Sequence, residues 1–263
     1  MLSLLKSLMG VRSHDRASFA TMVNEARFPS EIATALLRDF SRSERAEIEA
    51  IESLRLRTEK DRREVTVMDY GAGSGLDHRT LEQMAAGVPT TRIIGDVCAV
   101  ASKSAPWGEM LFKLIRHQRP LTCIEMGTCL GISAAYIAMA LRVNGQGRLV
   151  TLEGADAYAE VARANLHSLG LDNTIVEVGK FSDTLAPALE AMRPVEFMFI
   201  DGHHDRDATL HYLESSRPFL AQRNIVVFDD IDWSDGMREA WASIKRTTTG
   251  FGLGNVGVCL NVT

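Results

Sequence analysis

The chain has 263 residues, enough for one large domain or for one domain with an extension. Its composition, 46% hydrophobic and 24% charged, is that of a globular protein and excludes a disordered chain. A net charge of −5 excludes a generally basic surface for nucleic acid, and no apolar run reaches the ~18 residues of a membrane span.

Residues 1–62 read as a helical extension. The start, Met1 to Gly10, holds one Lys and too short an apolar stretch for a signal peptide. Pro29-Ser30-Glu31 is a helix start with Ser30 as N-cap, and Ile32, Leu36, Leu37 and Phe40 mark one apolar face. Ser41-x-x-Glu44 fits a capping box for a second helix carrying Ile48, Ile51 and Leu54. The extension is expected to pack on the core or on a second subunit, which makes it a candidate homodimer contact. Its polar face mixes Arg with Glu, which argues against a membrane-surface role.

Residues 63–118 form a connecting segment, expected to serve as a substrate or lid region. Residues 64–69 alternate as a strand does. Asp69-x-Gly71-x-Gly73-x-Gly75 matches a nucleotide-loop pattern, but the polar residues after it, interrupted by Gly87 and Pro89, supply no long apolar helix. It reads as a turn facing the mouth of a site. Residues 96–117 read as one or two helices with an apolar face of Met110, Leu111, Leu114 and Ile115.

Residues 119–263 form the core domain, organised around Leu121 to Ser133. The apolar pair Cys123-Ile124 leads into Glu125, then Gly127 and Gly131, then a helix-forming apolar run. Strand, Gly-rich turn and helix together let backbone approach a nucleotide-like ligand closely. Cys129 holds the place of the middle Gly of Gly-x-Gly-x-x-Gly. Downstream, strands at 149–153, 175–178, 195–201 and 225–229 join the one at 122–126. They alternate with helices at 132–143, 156–169, 184–192, 208–219 and 236–245. The strands are continuous apolar runs, as expected where helices cover both faces. Segments 251–253 and 256–262, joined by Gly254-Asn255, predict a terminal antiparallel hairpin. The fold class is α/β, a doubly wound, mostly parallel seven-stranded sheet with a C-terminal antiparallel hairpin. The four cysteines form no C-x-x-C pair, and the chain reads as reduced and cytoplasmic.

In an open parallel sheet, ligands bind beyond the carboxyl ends of the strands. Those ends carry Glu125, Glu153-Gly154, Gly179-Lys180, Asp201-Gly202-His203-His204 and Asp229-Asp230. Glu153 stands 22 residues beyond Gly131, where a carboxylate accepts both hydroxyls of a ribose. The competing reading makes it a helix N-terminal charge. Asp201, Asp229 and Asp230 are expected to converge, and three carboxylates in one cleft repel unless protonated or bridged by a cation such as Mg²⁺. Helix capping or pairing with Arg is the alternative. A histidine on this edge, beside acids, suits a general base.

Taken together in order and spacing, residues from about 102 onward resemble class I S-adenosylmethionine-dependent methyltransferases. The nearest branch is that of the Mg²⁺-dependent catechol-type and macrolide-sugar O-methyltransferases. The resemblance implies a Rossmann-like fold with Glu125, Gly127, Gly131 and Ser133 in the cofactor loop. It implies Glu153 and Gly154 at the ribose, Phe181 and Ser182 near the adenine, and Ser102 to Ser104 with Ser133 near the methionine end. Asp201, Asp229 and Asp230 would be metal ligands, and His204 would stand where sugar-modifying members carry a catalytic His and the catechol branch a Lys. The expected activity is metal-assisted O-methylation of a small-molecule hydroxyl, with His204 taking the proton and His203 packing over cofactor or acceptor. Two other classes compete: an NAD(P)-dependent oxidoreductase using the Gly71–Gly75 loop, and a non-catalytic cofactor-binding scaffold.

Overall fold

The computed structural model describes residues 16–71 and 79–263. Three helices open it: α1 (Arg16–Glu25), α2 (Ser30–Leu37) and α3 (Arg42–Thr58). The expected capping box closes α3, with Ser41 Oγ accepting from the Glu44 N–H and the Glu44 carboxylate accepting from the Ser41 N–H. The start of α2 differs from expectation. Pro29 holds the N-cap position with no side-chain bond, and Ser30 is already helical. Ile32, Leu36 and Phe40 are buried, whereas Leu37 ends the helix on its outer side and is 40% exposed.

Strand β1 (Glu64–Asp69) forms as expected. It pairs antiparallel with β2 (Val88–Ile93), and the short helix α4 (Leu81–Ala86) lies between them in sequence. β2 was not expected, because Pro89 reads as a break. In a two-stranded ribbon, however, every strand is an edge, and an edge tolerates proline. The ribbon is separate from the main sheet. The strand before Gly71 is therefore not part of a parallel βα crossover, which removes the context a dinucleotide loop requires. Residues 72–75 of that loop lie outside the described residues. Helices α5 (Ile94–Ala101) and α6 (Ala105–Gln118) lead into the core.

The main sheet contains β3 (Thr122–Met126), β4 (Arg148–Glu153), β5 (Thr174–Val178), β6 (Val195–Ile200), β7 (Leu220–Phe228), β8 (Thr249–Leu253) and β9 (Val256–Leu260). Their spatial order is β5-β4-β3-β6-β7-β9-β8. The first five run parallel, and β9 inserts antiparallel between β7 and β8. The chain winds outward from β3 to β5, then returns to β6 and β7. The β3/β6 boundary is thus the switch point where a ligand crevice opens.

Between the strands run α7 (Ile132–Asn144), α8 (Asp156–Ser168), α9 (Phe181–Met192), α10 (Arg206–Ser216) and α11 (Asp235–Thr247). Successive strand residues point to opposite faces. Cys123, Phe197, Phe199 and Val227 join one buried cluster with α6, α7, α8 and the three N-terminal helices. Ile124, Met126, Met198, Ile200 and Val226 join the other with α9, α10 and α11. Strand β7 starts five residues before the expected Ile225 and is irregular against β6 between Val195 and Phe197, so its polar opening does not read as strand. Among the described residues, no helix is long and apolar enough to cross a membrane.

Candidate functional site

The switch point opens into a cleft of about 2260 Å³, large for a single small ligand and roomy enough for two. Its floor is the turn after β3. Gly127 has φ +98°, and a Cβ there would stand 1.9 Å from the Asp201 carbonyl oxygen, so only glycine lets this turn pass the exit of β6. Gly131, at φ +82°, caps α7. Cys129 takes the left-handed conformation with a side chain, at φ +48°, and its N–H donates to Glu153 Oε2 at 2.7 Å.

Glu153 lines the cleft, and its other oxygen accepts from the Ala155 N–H at 2.8 Å. Burial pushes its carboxyl up to about 7, with backbone N–H groups opposing. The two carboxylate oxygens have four lone-pair sites between them, and the backbone N–H groups do not fill them all. Gly154 lines the same wall, beneath the Tyr70 ring. Lys180 Nζ lies 5.0 Å over that ring and donates to the Ala85 carbonyl, which ties the ribbon region to the end of β5.

Glu125, Gly131 and Ser133 do not reach the cleft surface. Glu125 is wholly buried beneath the turn and accepts from Thr151 Oγ1 at 2.6 Å. Burial pushes it up to about 8, against the Thr151 and Ser133 hydroxyls. These residues shape the turn from below. Phe181, Ser182 and Ser104 do line the cleft. Helix α9 starts at Phe181, three residues before the expected start, which carries Phe181 and Ser182 to the sheet edge. Ser104 holds the N-cap position of α6 without a side-chain bond.

Opposite the Glu153 wall stand the acids. Asp229 is 2% exposed, and its N–H donates to the Ile200 carbonyl, which fixes it beside the end of β6. Asp230 has φ +52°, and its Oδ1 accepts from Asn255 Nδ2 at 2.9 Å, so the turn of the C-terminal hairpin holds it. His204 places Nε2 3.7 Å from Asp201 Oδ1 and Nδ1 3.8 Å from Asp230 Oδ2. Its ring lies against Trp233. His203 turns away: its Nδ1 hydrogen-bonds the Tyr212 hydroxyl, and its ring meets Phe181 edge-on. Burial holds His203 below the usual imidazole range, with the neighbouring His204 acting the same way. His203 and His204 both have positive φ, as Cys129 and Asp230 do. Four non-glycine residues in the left-handed region on one edge mark a locally strained site.

The structure places a residue here that sequence reasoning passed over. Lys103 Nζ is ion-paired to Asp229 Oδ2 and lies 3.9 Å from Asp201 Oδ2. Burial raises the Asp201 carboxyl, opposed first by Lys103 and then by His204. The expected metal set needs correction. One buried oxygen, Asp229 Oδ1, has no partner and would suit a cation. Among the described residues, however, no three His, Cys, Asp or Glu side chains come together in a metal-holding group, and an ammonium stands between two of the three expected ligands. The donor set does not fit a divalent ion in this arrangement. The only sequence signal was a single Lys between Ser102 and Ser104, with no spacing pattern to mark it.

The methyltransferase-domain family matches residues 124–231. Catechol O-methyltransferase from Mycobacterium tuberculosis is 34% identical over 129 residues, 49% of this chain and 56% of that protein. Catechol O-methyltransferase from Niastella koreensis is 30% identical over 132 residues, 49% of this chain and 58% of that protein. The chain thus spans a little over half the length of these curated relatives. The O-methyltransferase TomG from Streptomyces achromogenes, solved in complex with SAM, shares the fold with a TM-score of 0.53 at 23% identity, over 62% of this chain and 83% of that one. With a β3 glycine turn, a β4 carboxylate and a seven-stranded sheet of this order beneath that match, residues 124–231 are similar to the methyltransferase-domain family, and the sheet has the fold of the solved O-methyltransferase.

Proposed function

We propose that the chain transfers the methyl group of S-adenosylmethionine to a hydroxyl of a small-molecule acceptor, with His204 as the base. One observation carries this reading. His204 stands between Asp201 and Asp230 and lines the same cleft as Gly127 and Glu153. When bound, S-adenosylmethionine supplies a sulfonium methyl group; the C–S bond breaks, the C–O bond forms, and S-adenosylhomocysteine leaves. Glu153 would hold the ribose, Gly127 would admit the cofactor close to the backbone, Phe181 and Ser182 would flank the adenine, and Ser104 would face the methionine end. The chain's remaining work is to align the acceptor and remove its proton. That proton passes to His204, where it lies between two carboxylates. No step is routed through Mg²⁺, because Lys103 already stands among the acids.

The acceptor would occupy the cleft beside Trp233 and Asp230, and the ribbon and α4 would cover the cofactor. Leu37 and Leu56, exposed apolar residues of α2 and α3, are the side chains a homodimer contact would use. Four free cysteines suit a reducing compartment such as cytoplasm.

The test combines binding and turnover. Calorimetry should show S-adenosylhomocysteine binding and no NAD binding. With catechol as the probe acceptor and labelled methyl donor, His204→Ala should lower kcat by about 10²–10⁴-fold and leave S-adenosylhomocysteine affinity within about twofold. Binding of NAD alone would overturn the reading. Unchanged kcat in the variant would remove His204 from its role.

A further inference from the structure

The acidic end of the cleft is a built charge cluster. Lys103 lies in the short link between α5 and α6, and its side chain is only 13% exposed. The link is held at both ends by backbone bonds, the Ser102 N–H donating to the Cys98 carbonyl and the Gly108 N–H to the Ser104 carbonyl. The side chain therefore reaches the acids from a fixed base. Its partner Asp229 is 1% exposed at the side chain, and its second neighbour Asp201 is 15% exposed. A carboxylate so deeply buried is strongly unfavourable unless it is protonated or paired, so the Asp229 side chain favours a cation beside it. An ammonium and a hard divalent ion would compete for the same carboxylate oxygens. Lys103 also lines the cleft that His204 lines.

We propose that Lys103 is a built-in cation. Held between Asp201 and Asp229, it takes the place of the divalent ion, and it holds the acceptor oxygen while His204 takes the proton. This rests on the methyltransferase reading above and adds that methyl transfer here needs no divalent metal. Lys103 donates hydrogen bonds and charge only; the proton still leaves to His204.

The experiment uses the full chain saturated with S-adenosylhomocysteine and titrated with Mn²⁺, followed by electron paramagnetic resonance. The wild type should take up no Mn²⁺ below about 1 mM. Lys103→Met frees the carboxylates and should bind one Mn²⁺ at least ~10-fold more tightly, since hard-cation affinity follows the number of free charged ligands. Methyl transfer to catechol by the wild type should persist in excess EDTA. Stoichiometric Mn²⁺ uptake by the wild type at ~10 µM, with activity lost in EDTA, would overturn the proposal. So would a folded Lys103→Met protein that binds Mn²⁺ no better than the wild type. If that variant does not fold, the wild-type titration and the EDTA assay decide the matter. Failure of the wild type to bind S-adenosylhomocysteine would sink the methyltransferase reading, and the Mn²⁺ titration would still judge the part played by Lys103.

Discussion

Glu153 answers two opposing demands. Burial favours its neutral form and raises the carboxyl from 4.5 to about 7, yet accepting two ligand hydroxyls requires the charged form. Between those values the folded chain holds a proton that the unfolded chain has released. This contribution to stability is full below pH 4.5 and is lost as pH rises through about 7. Ligand binding runs the other way, because hydroxyl donors favour the carboxylate. S-adenosylhomocysteine affinity should therefore rise between pH 6 and pH 8, with proton release on binding. Glu153→Gln should flatten that profile and weaken binding at pH 8 by about 10–100-fold, the effect of losing a charged acceptor worth ~1.5–3 kcal/mol. Calorimetry in buffers of different ionisation enthalpy reads both quantities. Equal wild-type affinity at the two pH values would place the ribose elsewhere. His203 and His204 show how far neighbouring residues diverge: one is bound into the Phe181–Tyr212 aromatic group, the other stands between acids.

Among the elements, α3 owes its start to local sequence and its position to charge. Glu44 closes the capping box and also accepts from Arg38 on the loop after α2 and from Arg116 on α6. It is 3% exposed, and the Arg38 hydrogen bond is the largest of the effects that hold its carboxyl well below the usual range. A depressed carboxyl contributes stability that is present above about pH 4.5 and lost as pH falls through the folded value. Arg38 and Arg116 are partly exposed, at 32% and 23%, so solvent screens the pairs and the contribution is modest. Glu44→Ala should cost about 2 kcal/mol, cap and ion pairs together. A urea titration should show that loss at pH 7 and a smaller one at pH 3, with S-adenosylhomocysteine affinity within about twofold at pH 7. An equal loss at both pH values would mean that packing, not charge, holds the helix.

The helical extension and the sheet share one core. Phe19, Ile32, Leu36, Ile51 and Leu54 lie in the same buried cluster as Phe112, Tyr136, Phe197 and Val227. The Tyr136 hydroxyl donates to Glu52 Oε1 at 2.6 Å, so α3 also meets α7 through a polar contact. Glu52 and Arg55 then form part of the cleft wall, which joins the extension to the site. Ile51 is 0% exposed, and Ile51→Ala should cost about 2–5 kcal/mol. If the described chain unfolds as one unit, calorimetry should show a single transition moved down as a whole. A separate low-temperature transition confined to the variant would show that the extension melts alone.

The order of βα units, the glycine turn after β3 and the acids at the strand ends were legible in the sequence, because each is written in local periodicity or in a short motif. Val88–Ile93 was not legible as a strand, since its pairing with β1 comes from a distant segment and its own pattern is broken by Pro89. Nor was the exclusion of β1 from the main sheet, which removed the Gly71–Gly75 loop from contention. The burial of Glu125 and Ser133 under the turn depends on how β3, β4 and α7 stack, which no spacing rule states. The placing of Asp201, Asp229 and Asp230 at neighbouring strand ends followed from the order of the βα units. The ammonium between them did not, because Lys103 comes from a link 98 residues before Asp201 in the chain. Local sequence determined which residues stand at the edge of the sheet; only tertiary packing decided which charge sits among them, since electrostatic partners are chosen by distance in space.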